Sequence, residues 1–313
     1  MSTGYMSEGN MHERNMNERN MHERNMKGAR KEPTVRVQKI KKNHAKTRLV
    51  IFLLMAAALL LVVIFAEQLC PYDSNAQNTS MALQPPGAAH PAGTDRFGRD
   101  MLSRILVGLQ TSIASTLTLV VIITLAGTVV GVICGYYGGV IDSVVMRISD
   151  VCLAFPGLVF AMAIAALLNG GLTSAVFALA VISWPKYARI ARSQTLAQKN
   201  SNYVSAARLA GGSSLQIIVK HIFPNSIGPI LVTSMLDIGT MLMELAGLSF
   251  LGLGAQPPTA ELGNMMSGGR SMLQTYPWVI IGPGIAIFIA VVIFNLLGDT
   301  VRDYLDPRNS RSR

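Results

Sequence analysis

Apolar residues run through this chain in long uncharged blocks separated by short polar stretches. Leu49–Ala66 is eighteen residues without a charge, about 27 Å as a helix and enough to cross a bilayer. Ile105–Ile141 has no charge across 37 residues, and a second span fits at about 111–136. Val151–Pro185 is again uncharged and is broken by Asn169-Gly170-Gly171, which reads as two spans joined by a tight outer turn. A fifth run covers about 227–248 and a sixth about 279–297. The pattern predicts an all-α integral membrane protein with six transmembrane helices.

The polar stretches divide the chain further. Residues 1–48 form a basic tail, 49–66 a first span and 67–110 an extracytoplasmic loop rich in Pro and Gly. Residues 111–300 form a five-helix core that carries a polar loop at 186–224, and 301–313 a short tail. The tail repeats MSEGN, MHERN, MNERN, MHERN and MKGAR. A five-residue step turns a helix by about 500°, so the repeated Met side chains share no face. Low-complexity disorder is the simpler reading, and capture of a soft metal by its His and Met residues the sharper one.

Half of the 313 residues are apolar and 14% are charged, with a net charge of +10. In a soluble chain that excess suggests nucleic acid; here it tests topology. With both termini inside, 23 of the 27 Lys/Arg face the cytoplasm, and only Arg96, Arg99, Arg104 and Arg270 lie outside. The positive-inside rule selects that orientation. The partner it implies is the lipid bilayer and not nucleic acid. Cys70, Cys134 and Cys152 are scattered and odd in number, so they define neither a disulfide framework nor a metal site. Cys134 and Cys152 read as small packing residues. His90 stands alone outside, with His12, His22, His44 and His221 inside.

The loop 186–224 holds six Lys/Arg and no acid. Read as a helix, Tyr203, Ala206, Ala207 and Ala210 share one face. Gly211-Gly212 offers a helix stop, Ser213 and Ser214 a new start, and Pro224 a kink at the entry to the fifth span. Two short cytoplasmic helices follow from this. They suit either docking in a partner's groove or rest on anionic lipid.

Asp237 and Glu244 lie inside the fifth apolar run, seven residues apart and so within about 20° of one face. Carboxylates at membrane depth face a cavity or a partner. They read either as lining a translocation pathway that attracts a cationic group, or as a structural pair with a second subunit. "GTDRFGRD" (93–100) reads as a capped turn or as an outer contact surface. Gly282-Pro283-Gly284 reads as local distortion of the sixth span. No G-x-x-x-x-G-K-[ST] phosphate loop and no nucleophile–base set is present, so no enzyme activity is expected.

Ala206-Ala207, Gly211 and Pro224, with their spacing, resemble the EAA loop of permease subunits of bacterial ABC importers. Ser205, His221 and Phe223 depart from that pattern. "GTDRFGRD", "LSFLGLGAQPP" (248–258), "MSGGR" (266–270) and "DYLDPR" (303–308) are similar to the C-type permease of the dipeptide/oligopeptide/nickel branch. A Trp usual in that branch is replaced by Ala260-Glu261-Leu262. The resemblance implies an ABC importer type I permease fold in the bacterial inner membrane. It implies ATPase coupling through Tyr203, Ala206, Ala207, Ala210, Gly211 and Pro224. The implied partners are a homologous B-type permease, two ATPase subunits that carry ATP and Mg, and an extracytoplasmic solute-binding protein. No cofactor or metal is expected on this chain itself. Gly211→Arg is expected to leave insertion intact and to uncouple hydrolysis from uptake. The rival reading is an ion-coupled secondary transporter with Asp237 or Glu244 as proton carrier; a membrane scaffold is a further rival.

Overall fold

The structure is a computed structural model that describes residues 34–305. The pentapeptide repeat and the end of "DYLDPR" lie outside the described residues. Eleven α-helices appear among those described, and no strand: α1 Thr34–Ile64, α2 Ala66–Leu69, α3 Met101–Tyr137, α4 Gly139–Ala154, α5 Gly157–Leu167, α6 Leu172–Lys199, α7 Asn202–Leu209, α8 Ser214–Ile217, α9 Phe223–Phe250, α10 Leu262–Gly269 and α11 Trp278–Leu305.

Helix boundaries depart from the sequence reading wherever a polar residue was taken to end a span. α1 starts at Thr34 rather than Leu49, because no Gly or Pro separates Thr34 from Ile64 and Lys, Gln, Arg and Ala are good helix formers. α3 starts at Met101, ten residues before the expected span. Asp100 caps it, accepting the Ser103 N–H at 2.7 Å. α6 runs through Pro185 to Lys199, so the polar loop begins at about 200 rather than 186. Packing on α3 outweighs the local cost of an interior proline, about 3 kcal/mol.

The expected third span is two helices. α4 and α5 meet at 97° around Phe155-Pro156, where Phe155 is extended (ψ 151°) as the residue before a proline prefers. The turn at Asn169-Gly170-Gly171 is where the sequence put it, with φ of 63°, 70° and 99°. Four helical stretches among the described residues are long and apolar enough to cross a membrane, or five with the bent pair counted as one span. Six is not reached, because the bend splits the third run and the second half of α6 is charged.

α3 and α6 form the tightest pair. Gly127, Gly131 and Gly135 recur every four residues on α3 and bring its backbone onto α6. A Cβ at Gly131 would stand 2.2 Å from the Ala188 carbonyl oxygen, and one at Gly127 2.5 Å from the Tyr187 Cβ. One apolar cluster joins α3, α5, α6 and α9 through Leu119, Ile123, Ala161, Leu179, Tyr187 and Leu245. A second joins α1, α3, α9, α10 and α11 through Val63, Ile113, Leu242, Leu262 and Phe294. α11 continues through Pro283 without a break. Cys134 is buried, Cys70 and Cys152 are half-buried, and all three are free.

Candidate coupling segment and intramembrane charge site

Between α6 and α9 the chain forms the two short helices that the sequence predicts. α7 stops at Leu209 in a Schellman-type end: the Gly212 N–H donates to the Ala207 carbonyl at 3.0 Å, with Gly211 at φ +82°. Ser213 then opens α8 with a capping box. Its Oγ accepts the Gln216 N–H at 3.4 Å, and Gln216 Oε1 accepts the Ser213 N–H at 3.2 Å. A π-helical turn, Ile218–Ile222, leads into α9. Pro224 sits in the first turn of α9, where a missing N–H is tolerated.

Val204 is the anchor of this segment. It is fully buried with Tyr136 of α3, Ile217 and Ile222, and Ala207 packs against the group. Tyr203, Ala206 and Ala210 are exposed. Tyr203 is also a strap: its hydroxyl donates to Gln198 Oε1 at the end of α6 and accepts from Asn225 Nδ2 of α9 at 3.5 Å. Leu209 and Leu215 are not singled out by the sequence pattern. They are 90% and 71% exposed and form apolar tips beside the Gly211 turn. Two isolated Leu within a basic stretch were the available signal.

The basic residues of the segment are largely paired. On α6, Lys186, Arg189 and Arg192 each meet an Asp from another helix. Lys186 Nζ reaches Asp237 at 2.6 Å, Arg189 reaches Asp150 at 2.5 Å, and Arg192 holds Asp142 through two bonds of 2.5 and 2.6 Å. Lys199 lies over the Tyr136 ring at 5.8 Å. Arg208 and Lys220 are exposed and form no ion pair among the described residues.

Asp237 is therefore not an open charge. Its side chain is almost fully buried, its two oxygens accept Lys186 at 2.6 and 2.9 Å, and Tyr187 Oη donates to it at 2.9 Å. The structural pair is real, but its partner belongs to this chain. Glu244 differs. It is half-buried and has no hydrogen bond or ion pair among the described residues. Between them Thr240 is exposed, and Met243 is 54% exposed. Only four acids occur between Arg104 and Glu261. Three of them form an ion pair, and Glu244 forms none among the described residues.

At the other end of the helices, "GTDRFGRD" is a capped turn. Asp95 accepts the Phe97 and Arg99 N–H groups and pairs with the Arg99 guanidinium at 2.7 Å. Asp100 caps α3 and meets His90 Nδ1 at 2.9 Å. Arg104 donates to the Ser74 carbonyl and Asn75 Oδ1. Glu261, which the sequence reading noted only for the missing Trp, is fully buried. It caps α10 through the Gly263 and Asn264 N–H groups and accepts from Ser112 Oγ of α3 at 2.9 Å. No group of three or more metal-ligating side chains occurs among the described residues.

Residues 127–311, more than half of the chain, match the family described as binding-protein-dependent transport system inner membrane component. The chain belongs to that family. It is a membrane permease component of the ABC importer type. Relatives with named functions align over most of the permease. The probable D,D-dipeptide transport system permease protein DdpC of Escherichia coli is 44% identical, over 84% of this chain and 87% of that one. The dipeptide transport system permease protein DppC of Haemophilus influenzae is 39% identical, over 82% and 88%. The glutathione transport system permease protein GsiD of Pectobacterium atrosepticum is 42% identical, over 79% and 82%. Among solved structures, a chain of the methionine ABC transporter MetNI shares the fold, with a TM-score of 0.53 at 18% identity, over 65% of the permease and 97% of that chain.

Proposed function

We propose that this permease forms half of the translocation pathway of an ATP-driven importer in the bacterial inner membrane. In this reading it crosses the membrane six times with both termini inside, and works with a B-type permease, two ATPase subunits and a solute-binding protein. ATP and Mg²⁺ belong to the ATPases, and no cofactor to this chain. The cargo is a small peptide, as the names of the relatives suggest; nickel or a metal complex is the alternative cargo of the same branch. Asp237 and Glu244 face the pathway.

One observation carries the coupling role. Tyr203, Ala206 and Ala210, with Leu209 and Leu215, are exposed on a segment that is itself rigidly capped and anchored through Val204. Apolar tips on a rigid base suit insertion into a cleft of an ATPase subunit. Gly211→Arg tests this only in part, because φ +82° strains any residue with a Cβ. Leu209→Asp changes a side chain in contact with solvent and is the cleaner probe. In proteoliposomes holding the whole complex, it should lower ATP-dependent uptake of Ala-Ala at least tenfold while the complex stays in the membrane. Uptake unchanged by Leu209→Asp and by Leu215→Asp would end the coupling assignment. Uptake that needs no ATP would favour the ion-coupled reading instead.

A further inference from the structure

The charges along α9 are separated in a way that suits one ligand chemistry. Lys186 and Asp237 neutralise each other, yet Lys186 is 51% exposed. An ammonium has three N–H donors, and Asp237 takes two of them. One donor of Lys186 therefore remains free above the face of α9 that carries Asp237. Two helical turns along the same face stands Glu244, an acceptor without a donor among the described residues. Thr240 lies exposed between them. The rise from Asp237 to Glu244 is about 10.5 Å. An extended dipeptide measures about 7 Å, and a hydrogen bond of about 2.8 Å at each end extends its reach to about 12.6 Å, enough to cover that rise.

Resting on the peptide-permease reading above, we propose that Glu244 and Lys186 form a two-point subsite for a zwitterionic peptide. Glu244 takes the α-ammonium and Lys186 the α-carboxylate. Asp237 and Tyr187 are positioning residues that hold the Lys186 head in place. The net charge of the three groups is −1, so the ammonium is the end that the free site attracts. α9 runs from the coupling segment towards the capped extracytoplasmic turns. Glu244 is therefore met first from outside, and the peptide passes with its carboxylate leading.

The test measures binding by the complete complex in nanodiscs without its solute-binding protein, so that the specificity of that protein does not enter. Saturation-transfer NMR compares Ala-Ala, N-acetyl-Ala-Ala and Ala-Ala-amide. The wild type should bind Ala-Ala on the order of tenfold more tightly than either blocked peptide, as expected for one charge-assisted bond. Glu244→Gln should abolish the discrimination against the N-acetyl peptide alone, and Lys186→Gln that against the amide alone. Glu244→Asp should keep both. Each readout is a ratio between ligands on one preparation, so partial misfolding lowers all signals and leaves the ratio. Wild-type ratios in Glu244→Gln would overturn the subsite while leaving the permease reading intact; that is also the result if Glu244 only pairs with the second permease. A wild-type complex that imports Ala-Ala in proteoliposomes but shows no preference among the three peptides would overturn the subsite alone. One that neither binds nor imports any of them removes the peptide cargo and the subsite together.

Discussion

Gly131 lies against Ala188 so closely that a single added Cβ would sit 2.2 Å from the Ala188 carbonyl oxygen. The two helix backbones are in contact, and no rotamer change elsewhere can make room. Gly131→Leu should therefore force α3 and α6 apart. Overpacking of this kind costs about 1–3 kcal/mol or more. The expected outcome is a large fall in the thermal midpoint of the purified permease, with little change for Gly228→Ala, whose added Cβ meets nothing within 4 Å. Equal midpoints for the two variants would mean that the helices do not meet as described.

Arg192 holds α4 to α6 through two bonds to Asp142, and Arg189–Asp150 repeats the link two turns further along α4. Arg192 and Asp142 are 34% and 15% exposed, so the pair is partly shielded. A double-mutant cycle with Asp142→Asn and Arg192→Gln should give a coupling of about 0.5–3 kcal/mol. The Arg189–Asp150 cycle, with both side chains about half exposed, should give less than about 1 kcal/mol. The check is urea unfolding followed by tryptophan fluorescence; additive effects in the first cycle would contradict the pairing.

Glu261 is fully buried and accepts from two backbone N–H groups and the Ser112 hydroxyl. Glu261→Ala leaves these donors without an acceptor. Each orphaned buried group costs about 1–3 kcal/mol. Glu261→Gln keeps one oxygen and should lose about half as much. Thermal unfolding of the three proteins should rank Glu, Gln, Ala. If Ala equals Glu, the cap does not stabilise α10.

Local punctuation was legible in the sequence. Asn169-Gly170-Gly171, Gly211-Gly212 and Ser213 act where they were read, because turn and cap chemistry depends on neighbours only. Charges were poor guides to helix ends: Lys186, Arg189 and Arg192 continue α6 rather than stop it. Their partners lie 39 to 51 residues away in the chain. Nothing local announces such a pairing, so the stretch read as a free basic loop. The bend at Pro156 was missed for a related reason. Hydropathy alone does not say whether an uncharged run is straight. Asp237 and Glu244 were found by their cost in an apolar run, but only the fold separates the paired acid from the unpaired one. The Gly127-Gly131-Gly135 spacing stands in the sequence, but only the fold shows that α6 packs on it.

The length of α3 has a mechanical meaning. Its 37 residues make a rod of about 56 Å. Even at a tilt of about 40°, a hydrocarbon core of about 30 Å takes up only about 39 Å of it. Roughly eleven residues must then stand in water or among headgroups. One end is clamped by Asp100 in the capped turn, and the other places Tyr136 against Val204 of α7. A single uninterrupted helix thus links the capped turn at 93–100 to the short helices α7 and α8. No break or interior proline interrupts α3 between the two ends.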